Sequence, residues 1–139
     1  MKVIIDTCIW SEAFRKPIAL RSKDVVFELQ ELIKEGRVVM IGAVRQELLS
    51  GIKLDKDYDK LKESMRAFED YIIKTEDYEY ASKLFNRCRR KGIQGANVDF
   101  LICSVAERNG VSIFTTDNDF KLFSEHIKID LHNTRAHGR

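Results

Sequence analysis

The chain has 139 residues, 44% of them hydrophobic and 33% charged, with seven Gly, one Pro and a formal net charge of +2. Its length is that of one domain, in a size range where folding buries about 70% of the unfolded chain's surface. The composition excludes disordered, collagen-like and membrane-embedded classes, and we expect a cytoplasmic protein because there is no signal peptide and no run of about 20 apolar residues.

Apolar residues alternate between strand and helix periodicity along the whole chain, without repeats or Gly-rich linkers. In the first half, the predicted elements are a strand at 2–5, a helix at 24–35, a strand at 37–41 and helices at 43–50 and 57–69. In the second half, they are a strand at 71–74, a helix from 75 to about 91, a loop at 92–97, a helix at 99–109, a strand at 111–115, a helical segment at 118–123 and a strand at 127–131. This order predicts a single α/β domain with a central parallel sheet of four or five strands and helices on both faces.

Acidic residues stand where the chain leaves predicted strands and enters predicted helices. Asp6 follows Val3-Ile4-Ile5, and Asp117 follows the apolar run that ends at Thr116. Glu47 and Asp99 are predicted in the first turns of two helices. Ligands of open α/β sheets bind at the carboxyl edge, so we expect the four carboxylates to converge there.

Four converging carboxylates repel one another, and their pKa values rise unless a cation neutralises them. Oxygen ligands select a hard divalent ion, Mg²⁺ or Mn²⁺. Such an ion positions a water, increases its acidity and stabilises charge on a phosphate, which predicts phosphodiester hydrolysis. Taken singly, each acid is also explained as a strand end, a helix cap or an exposed helical residue. Capping does not explain why four of them would meet at one edge.

The basic residues are unevenly distributed. The segment 82–98 contains no acidic residue, and its five basic residues are candidate RNA phosphate contacts: Lys83, Arg87, Arg89, Arg90 and Lys91. The tail adds Arg135 and Arg139, with two histidines, and we expect a flexible basic tail at about 132–139. The alternative for both is a solvated helix face and a frayed terminus. The segment 55–79 has nine acids and five bases, and we expect it to face away from nucleic acid.

Four motifs in this order resemble those of the PIN-domain family, and more narrowly those of VapC-type toxin ribonucleases. They are Ile4-Ile5-Asp6-Thr7, Gln46-Glu47-Leu48, Asp99-Phe100-Leu101-Ile102-Cys103 and Thr115-Thr116-Asp117-Asn118-Asp119-Phe120. The resemblance covers nearly the whole chain. It implies an endoribonuclease that depends on Mg²⁺, with Mn²⁺ as a substitute, a homodimer and a cognate antitoxin, and it implies cuts that leave a 5′-phosphate and a 3′-hydroxyl.

The resemblance also implies roles for individual residues. Asp6, Asp99 and Asp117 would be metal ligands, and Glu47 a further ligand or the residue that holds a water on the ion. Asp119 would either cap the following helix or bind a second ion. The supporting residues would be Thr7 and Thr116, as hydrogen-bond partners of a carboxylate or of the substrate phosphate, and Asn97, which would orient Asp99 or contact RNA.

Two other classes of function are open. A phosphatase of the haloacid dehalogenase kind also begins with an Asp after a strand, but it needs a second Asp two residues later, where this chain has Cys8. A housekeeping PIN-domain nuclease of RNA processing, or a non-catalytic PIN module that binds RNA or a partner, would keep the same fold. Trp10, Phe14 and Tyr58 are either core residues or surfaces that contact RNA bases or an antitoxin helix. We expect specificity loops at 11–23 and 91–97.

Overall fold

The structure, a computed structural model of the chain, describes residues 1–135. Within this range one parallel sheet contains three strands, at Val3–Ile5 (β1), Val38–Val39 (β2) and Ser112–Phe114 (β3). A short 3₁₀ helix at Ile18–Leu20 and seven α-helices accompany it, the latter at Thr7–Phe14 (α1), Lys23–Lys34 (α2), Gly42–Leu49 (α3), Asp55–Met65 (α4), Thr75–Arg90 (α5), Asn97–Asn109 (α6) and Asp119–Phe123 (α7). None of these helices is long and apolar enough to cross a membrane.

The strand order is β2-β1-β3, so the chain moves from the central strand to one edge and then crosses to the other. Both pairings are parallel, with Val3 opposite Val38 on one side and Val3 opposite Ser112 on the other. The order therefore reverses between β1 and β3. In open α/β sheets, ligands bind in the crevice at the carboxyl end of such a switch point.

The core is built around β1 and α6. All three residues of β1 are fully buried, as expected for a central parallel strand, and the seven residues at 100–106 of α6 are all buried as well. Each fully buried large apolar side chain stabilises the fold by about 1.5–3 kcal/mol. This packing fixes the two elements whose ends carry Asp6 and Asp99.

The prediction of four or five strands is wrong in number. The segment at 127–131 touches the sheet through one isolated bridge, of Ile113 with Leu131. At the other edge the one bridge joins Met40 to Asp70, which lies just before the predicted strand at 71–74. Beyond Asp70 the chain leaves the sheet within four residues, because Lys74 already caps α5. Before Leu131 the backbone is bent, since the Ile129 N–H bonds the Ile127 carbonyl.

Several predicted helix boundaries also differ. The expected loop at 11–23 begins inside α1, which Asp6 caps, and continues through the 3₁₀ helix into α2. Helix α5 begins at Thr75, as predicted, and ends at Arg90; Lys74 is its N-cap residue, and the Asp77 carboxylate accepts a hydrogen bond from the Lys74 N–H at 2.9 Å. Glu47 lies in the second half of α3 and not in its first turn.

The aromatic candidates divide between core and surface. Trp10 is fully buried and its ring packs 5.0 Å from that of Phe68, so it is not available to stack RNA bases. Phe14 is 38% exposed. Tyr58 is half-buried on α4, with the Lys62 ammonium 5.8 Å from its ring.

The C-terminal segment is tied to α2 as far as the structure describes it. The buried Glu28 carboxylate lies 2.7 Å from His132 Nε2 and accepts hydrogen bonds from the backbone N–H and the guanidinium of Arg135. Arg135 also pairs with Glu35 at 2.6 Å. Arg135, expected as a phosphate contact, is therefore engaged within the protein, whereas Arg139 lies outside the described residues.

Candidate active site

Asp6 sits at the point where β1 passes into α1. One carboxylate oxygen, Oδ1, accepts a hydrogen bond from the Thr7 N–H at 2.8 Å and so caps the helix. The other, Oδ2, accepts from Thr115 Oγ1 at 2.7 Å and from Cys8 Sγ at 3.3 Å. The side chain is buried. Burial raises the pKa of Asp6, the hydrogen bonds from Thr115, Cys8 and Thr7 oppose this rise, and the negative charge of Asp117 adds to it.

Asp117 follows β3 and is linked to Asp6 through Thr115. The Thr115 hydroxyl donates to Asp6 and accepts a hydrogen bond from the Asp117 N–H at 3.0 Å. Asp117 Oδ1 accepts in turn from the Asp119 N–H at 2.9 Å, at the start of α7. One hydroxyl group therefore sets the relative position of the two strand ends.

Asp99 is the third residue of α6. Its Oδ2 accepts a hydrogen bond from the Ala96 N–H at 3.0 Å, an arrangement that satisfies a free donor at the start of the helix. Burial is the main cause that raises the pKa of Asp99 to about 6; the Ala96 hydrogen bond opposes the rise, and the charges of Asp6, Asp117 and Glu47 increase it. The four carboxylates are thus close enough to interact electrostatically.

Glu47 projects from α3 towards the start of α1. Its Oε1 accepts a hydrogen bond from Thr7 Oγ1 at 2.6 Å, and its side chain is exposed. Thr7 follows Asp6 directly, so the contact joins the fourth acid to the end of β1. This is the contact with a carboxylate that the sequence predicted for Thr7.

All four predicted acids line one open cavity of about 710 Å³. Its remaining lining consists of small, polar and apolar side chains: Thr7, Cys8, Ser11, Ala43, Gln46, Ser50 and Val98. Asp119 and Thr116 are not part of this lining; the Thr116 hydroxyl lies 3.5 Å from Cys8 Sγ. Asn97 lines a separate groove between α5 and α6. The structure therefore brings together Asp6, Glu47, Asp99 and Asp117 and leaves Asp119 outside.

No ion pair neutralises these four carboxylates within residues 1–135. Their oxygen-only donors fit a hard divalent cation such as Mg²⁺ in chemistry. In the conformation described, no three His, Cys, Asp or Glu side chains of the described range are close enough to hold an ion. Glu47 and Asp117 are exposed, and each accepts one hydrogen bond, Glu47 from the Thr7 hydroxyl and Asp117 from the Asp119 N–H. Asp6 and Asp99 are less exposed and accept hydrogen bonds from the backbone N–H groups at the starts of α1 and α6. The site fits a cation if the two exposed carboxylates turn towards Asp6 and Asp99.

Sequence reasoning missed two residues that touch Asp6. Thr115 precedes the predicted Thr116 by one position, and alternation along β3 determines which of the two hydroxyls points at Asp6. Cys8 lies 3.4 Å from Thr115 Oγ1, and burial raises the pKa of its thiol. The Asp-x-Cys spacing was visible in the sequence, but it did not show that the thiol would donate back to Asp6.

The basic cluster lies on the last turns of α5 and just beyond it. Arg87 donates to the His126 carbonyl at 3.1 Å, and the Arg89 guanidinium lies 5.9 Å from the Phe85 ring centroid. Lys83, Arg90 and Lys91 are exposed. None of the five forms an ion pair with a described carboxylate, so their positive charges are available to an anionic ligand.

The comparison with protein families identifies the family to which this chain belongs. The model of the PIN domain matches residues 3–125. The chain therefore belongs to the PIN domain family, which confirms the resemblance seen in the motifs and sets aside the phosphatase alternative. No curated protein sequence matches the chain.

Solved structures with the same fold include chains from several complexes. The crystal structure of FitAcB from Neisseria gonorrhoeae matches with a TM-score of 0.75 and 18% identity, over 94% of this chain and 96% of that one. VapBC2 from Rickettsia felis, bound to a DNA fragment from its promoter, matches with a TM-score of 0.75 and 22% identity, over 97% of this chain and 100% of that one. DNA-bound VapBC from Salmonella typhimurium matches with a TM-score of 0.70 and 16% identity, over 95% of this chain and 97% of that one. At these identities, the likeness establishes the shared fold.

Proposed function

We propose that this PIN-domain protein is a metal-dependent endoribonuclease that hydrolyses RNA phosphodiester bonds. The observation that carries the proposal is the cavity lined by four carboxylates that no cation of the described chain neutralises. Mg²⁺, or Mn²⁺ in its place, would be held by Asp6, Asp99 and Asp117, with Glu47 as the fourth acid. When bound, such an ion supplies Lewis-acid stabilisation of phosphate charge and a more acidic water.

The residues of the chain would prepare this chemistry in separate ways. Asp6 and Asp99 are fixed at helix starts, so they would hold the ion at a set position relative to the sheet. Thr115 keeps the ends of β1 and β3 together, and Thr7 keeps Glu47 facing the cavity. The unpaired basic residues at the end of α5 would attract the RNA backbone. Asp119 is the first residue of α7 and Asn118 holds the N-cap position, so Asp119 would stabilise this helix through its negative charge and not as its cap.

We further propose that the nuclease is the toxin of a toxin–antitoxin pair, acting in the cytoplasm as a homodimer. Support comes from the FitAcB and VapBC complexes, whose chains share this fold. Exposed apolar side chains near the 3₁₀ helix favour a protein partner as well, since Ile18 is 80% exposed and Leu20 is 65% exposed. A housekeeping PIN nuclease would need the same cavity but no antitoxin.

The first test is cleavage of a pool of structured RNAs by the purified chain with Mg²⁺, with Mn²⁺ or with EDTA. Cleavage that requires the ion and is lost in Asp99→Asn supports the nuclease. We expect a loss of about a thousandfold or more, because the ion contributes several kcal/mol of charge stabilisation. Asn keeps the size and the hydrogen-bond acceptor of Asp99, so the variant should fold. Equal cleavage by the variant would show that the site is wrongly assigned.

The toxin assignment has its own test. If a small DNA-binding protein is encoded beside this chain, the two should copurify when expressed together, and Ile18→Ser with Leu20→Ser should disrupt the pair while cleavage remains. A chain that cleaves RNA and has no such partner would be a housekeeping nuclease.

A further inference from the structure

A second cavity, of about 460 Å³, lies between α5 and α6 beside the acidic one. Its volume is within the range of about 300–1,000 Å³ that is usual for small-molecule sites. Val98 lines both cavities, so they lie next to each other. We call this second cavity the α5–α6 groove; it is lined by Tyr78, Ala81, Ser82, Phe85, Asn86, Asn97, Val98, Phe100 and Leu101.

The α5–α6 groove differs from the acidic cavity in chemistry. None of its lining side chains is charged. Aromatic rings form part of its walls: Tyr78 is 58% exposed, and Phe85 is half-buried with its ring 5.4 Å from that of Phe100. Two amide side chains, Asn86 on α5 and Asn97 at the start of α6, are exposed at the groove. Neutral aromatic surface with amide donors and acceptors matches a nucleobase, which offers a π-face and a hydrogen-bonding edge.

The surroundings of the groove suit the rest of a nucleotide. Arg89 lies over Phe85, and Lys83 is exposed on the same helix, so cations flank the groove on α5. On its other side, across Val98, lies Asp99. A strand whose scissile phosphate occupied the acidic cavity would therefore pass its next base over the groove and continue towards basic residues.

We propose that the α5–α6 groove binds the base of the nucleotide beside the scissile phosphate, by stacking on Tyr78 and Phe85 and by hydrogen bonds to Asn86 and Asn97. The inference deepens the proposed nuclease function and rests on it. It makes this groove, rather than the acidic cavity, the place where the protein selects its cut site.

The test measures the contribution of bases to binding, with cleavage removed by Asp99→Asn in the full chain. Fluorescence anisotropy would compare four RNA hexamers, each of a single base, with an abasic hexamer that carries the same phosphates. At least one base-bearing hexamer should bind about fivefold or more tightly than the abasic one, the lower end of what stacking on one aromatic side chain supplies. Adding Tyr78→Ala and Asn86→Ala should reduce this difference to within about twofold and leave abasic binding and its salt dependence unchanged.

Gln30→Ala is the matched control, because it removes an exposed amide from α2, outside the groove. It should keep the full preference for base-bearing RNA. The inference is wrong if the hexamers bind no better than the abasic strand, or if the groove variant keeps the preference. It is also wrong if the groove variant changes the oligomeric state in sedimentation and cleaved RNAs keep the same bases at the cut, since the groove would then be a contact between copies of the chain.

The outcomes separate this inference from the nuclease itself. If the wild-type chain cleaves RNA in an ion-dependent way but the groove variant leaves the bases at the cut sites unchanged, only the base site falls. If no RNA is cleaved but the groove variant abolishes base-dependent binding, the base site stands and the nuclease assignment falls.

Discussion

Two groups of acidic residues in this protein differ in what compensates their negative charge. Glu28 and Asp77 are fully buried, and each is paired with an arginine: Glu28 with Arg135 at 3.1 Å, and Asp77 with Arg108 at 2.8 Å. Asp6 is buried and Asp99 half-buried, yet their hydrogen-bond donors are a hydroxyl, a thiol and backbone N–H groups.

The difference separates acids whose charge is paired within the protein from acids whose charge is not. A buried carboxylate without a cation is unfavourable, so a fold selected only for stability would pair or remove it. The chain does pair Glu28 and Asp77. It leaves the cavity carboxylates uncompensated, and for Asp99 this raises the pKa to about 6. A cation-binding site requires carboxylates of this kind, whose negative charge is not paired with a protein cation.

Removing the cation from a paired acid should have the largest effect on stability. Arg108→Met leaves Asp77 buried without its partner, and we expect the free energy of unfolding to fall by about 3 kcal/mol. Urea unfolding measures the change. Arg66→Met is the control, because Arg66 is exposed and forms no ion pair within residues 1–135, and its effect should stay within about 0.5 kcal/mol. Equal effects of the two changes would mean that pairing with Arg108 does not stabilise the buried Asp77.

Replacing Asp by Asn should have opposite effects on stability in the two groups of acids. The pKa of Asp99 is raised from 3.8 to about 6, so the folded protein binds more protons than the unfolded chain between these values. Stability of the ion-free protein should therefore fall as pH rises from about 4 to 7, by roughly 1–2 kcal/mol for a half-buried group. Asp99→Asn should reduce this fall to the part that Asp6 contributes, because burial raises the pKa of Asp6 as well. It should also be more stable than the parent at pH 7, whereas Asp77→Asn should be less stable.

The measurement is urea unfolding in EDTA across that pH range for the parent and both variants. If the parent and Asp99→Asn change in parallel with pH, the uncompensated charge of Asp99 has no energetic effect. If Asp77→Asn is as stable as the parent at pH 7, the ion pair of Asp77 with Arg108 does not stabilise the fold.

Cation binding should stabilise the protein through the cavity carboxylates and not through the paired acids Glu28 and Asp77. At a Mg²⁺ concentration ten times its dissociation constant, the free energy of unfolding should rise by about 1.4 kcal/mol. Asp99→Asn should lose most of this gain. Arg108→Met should retain it, although its stability without the ion is lower, because Asp77 is not part of the cavity. A gain that persists in Asp99→Asn would locate the ion elsewhere.

The sequence predicted the acidic cavity better than it predicted the sheet. Asp6 and Asp117 follow buried apolar runs, and the carboxyl ends of neighbouring parallel strands meet, so their convergence could be expected from local pattern alone. The number of strands could not be predicted in this way, because apolar runs such as 127–131 have strand composition whether or not their backbone pairs with the sheet. Here a bend at Ile129 limits that segment to one bridge.

Contacts between distant segments account for what the sequence did not predict. Thr115 and Asp6 are 109 positions apart, and the sequence does not show which of two adjacent threonines faces the carboxylate. The α5–α6 groove depends on how two helices pack. Gly95 is a separate example of packing between distant segments, since a Cβ at that position would lie 2.6 Å from Phe123 Cζ on α7 and 2.9 Å from Phe100 Cε2 on α6. The glycine was predicted to lie in a loop, but its close packing against the core was not visible.

The cationic cluster on α5 extends the comparison to positive charges and predicts the smallest effect. Arg135 and Arg108 are paired within the protein, whereas Arg89 and Arg90 form no ion pair in the described chain. Arg89→Ala with Arg90→Ala should weaken RNA binding by Asp99→Asn protein and reduce the salt slope of log K by about 1.4, if each contacts one phosphate of a single strand. Stability should change by less than about 0.5 kcal/mol.

Replacing the same two arginines with lysine is the control, because it keeps the charge and should keep the slope. The result that would contradict the prediction is unchanged affinity at low salt in the alanine variant, which would make the cluster a solvated helix face. A reduced slope would mean that unpaired charge of both signs marks the parts of this protein that meet its ligands, the acids meeting the ion and the arginines the RNA backbone. A contribution to stability cannot account for the cavity acids or for these arginines, because no ion pair within the described chain neutralises their charges.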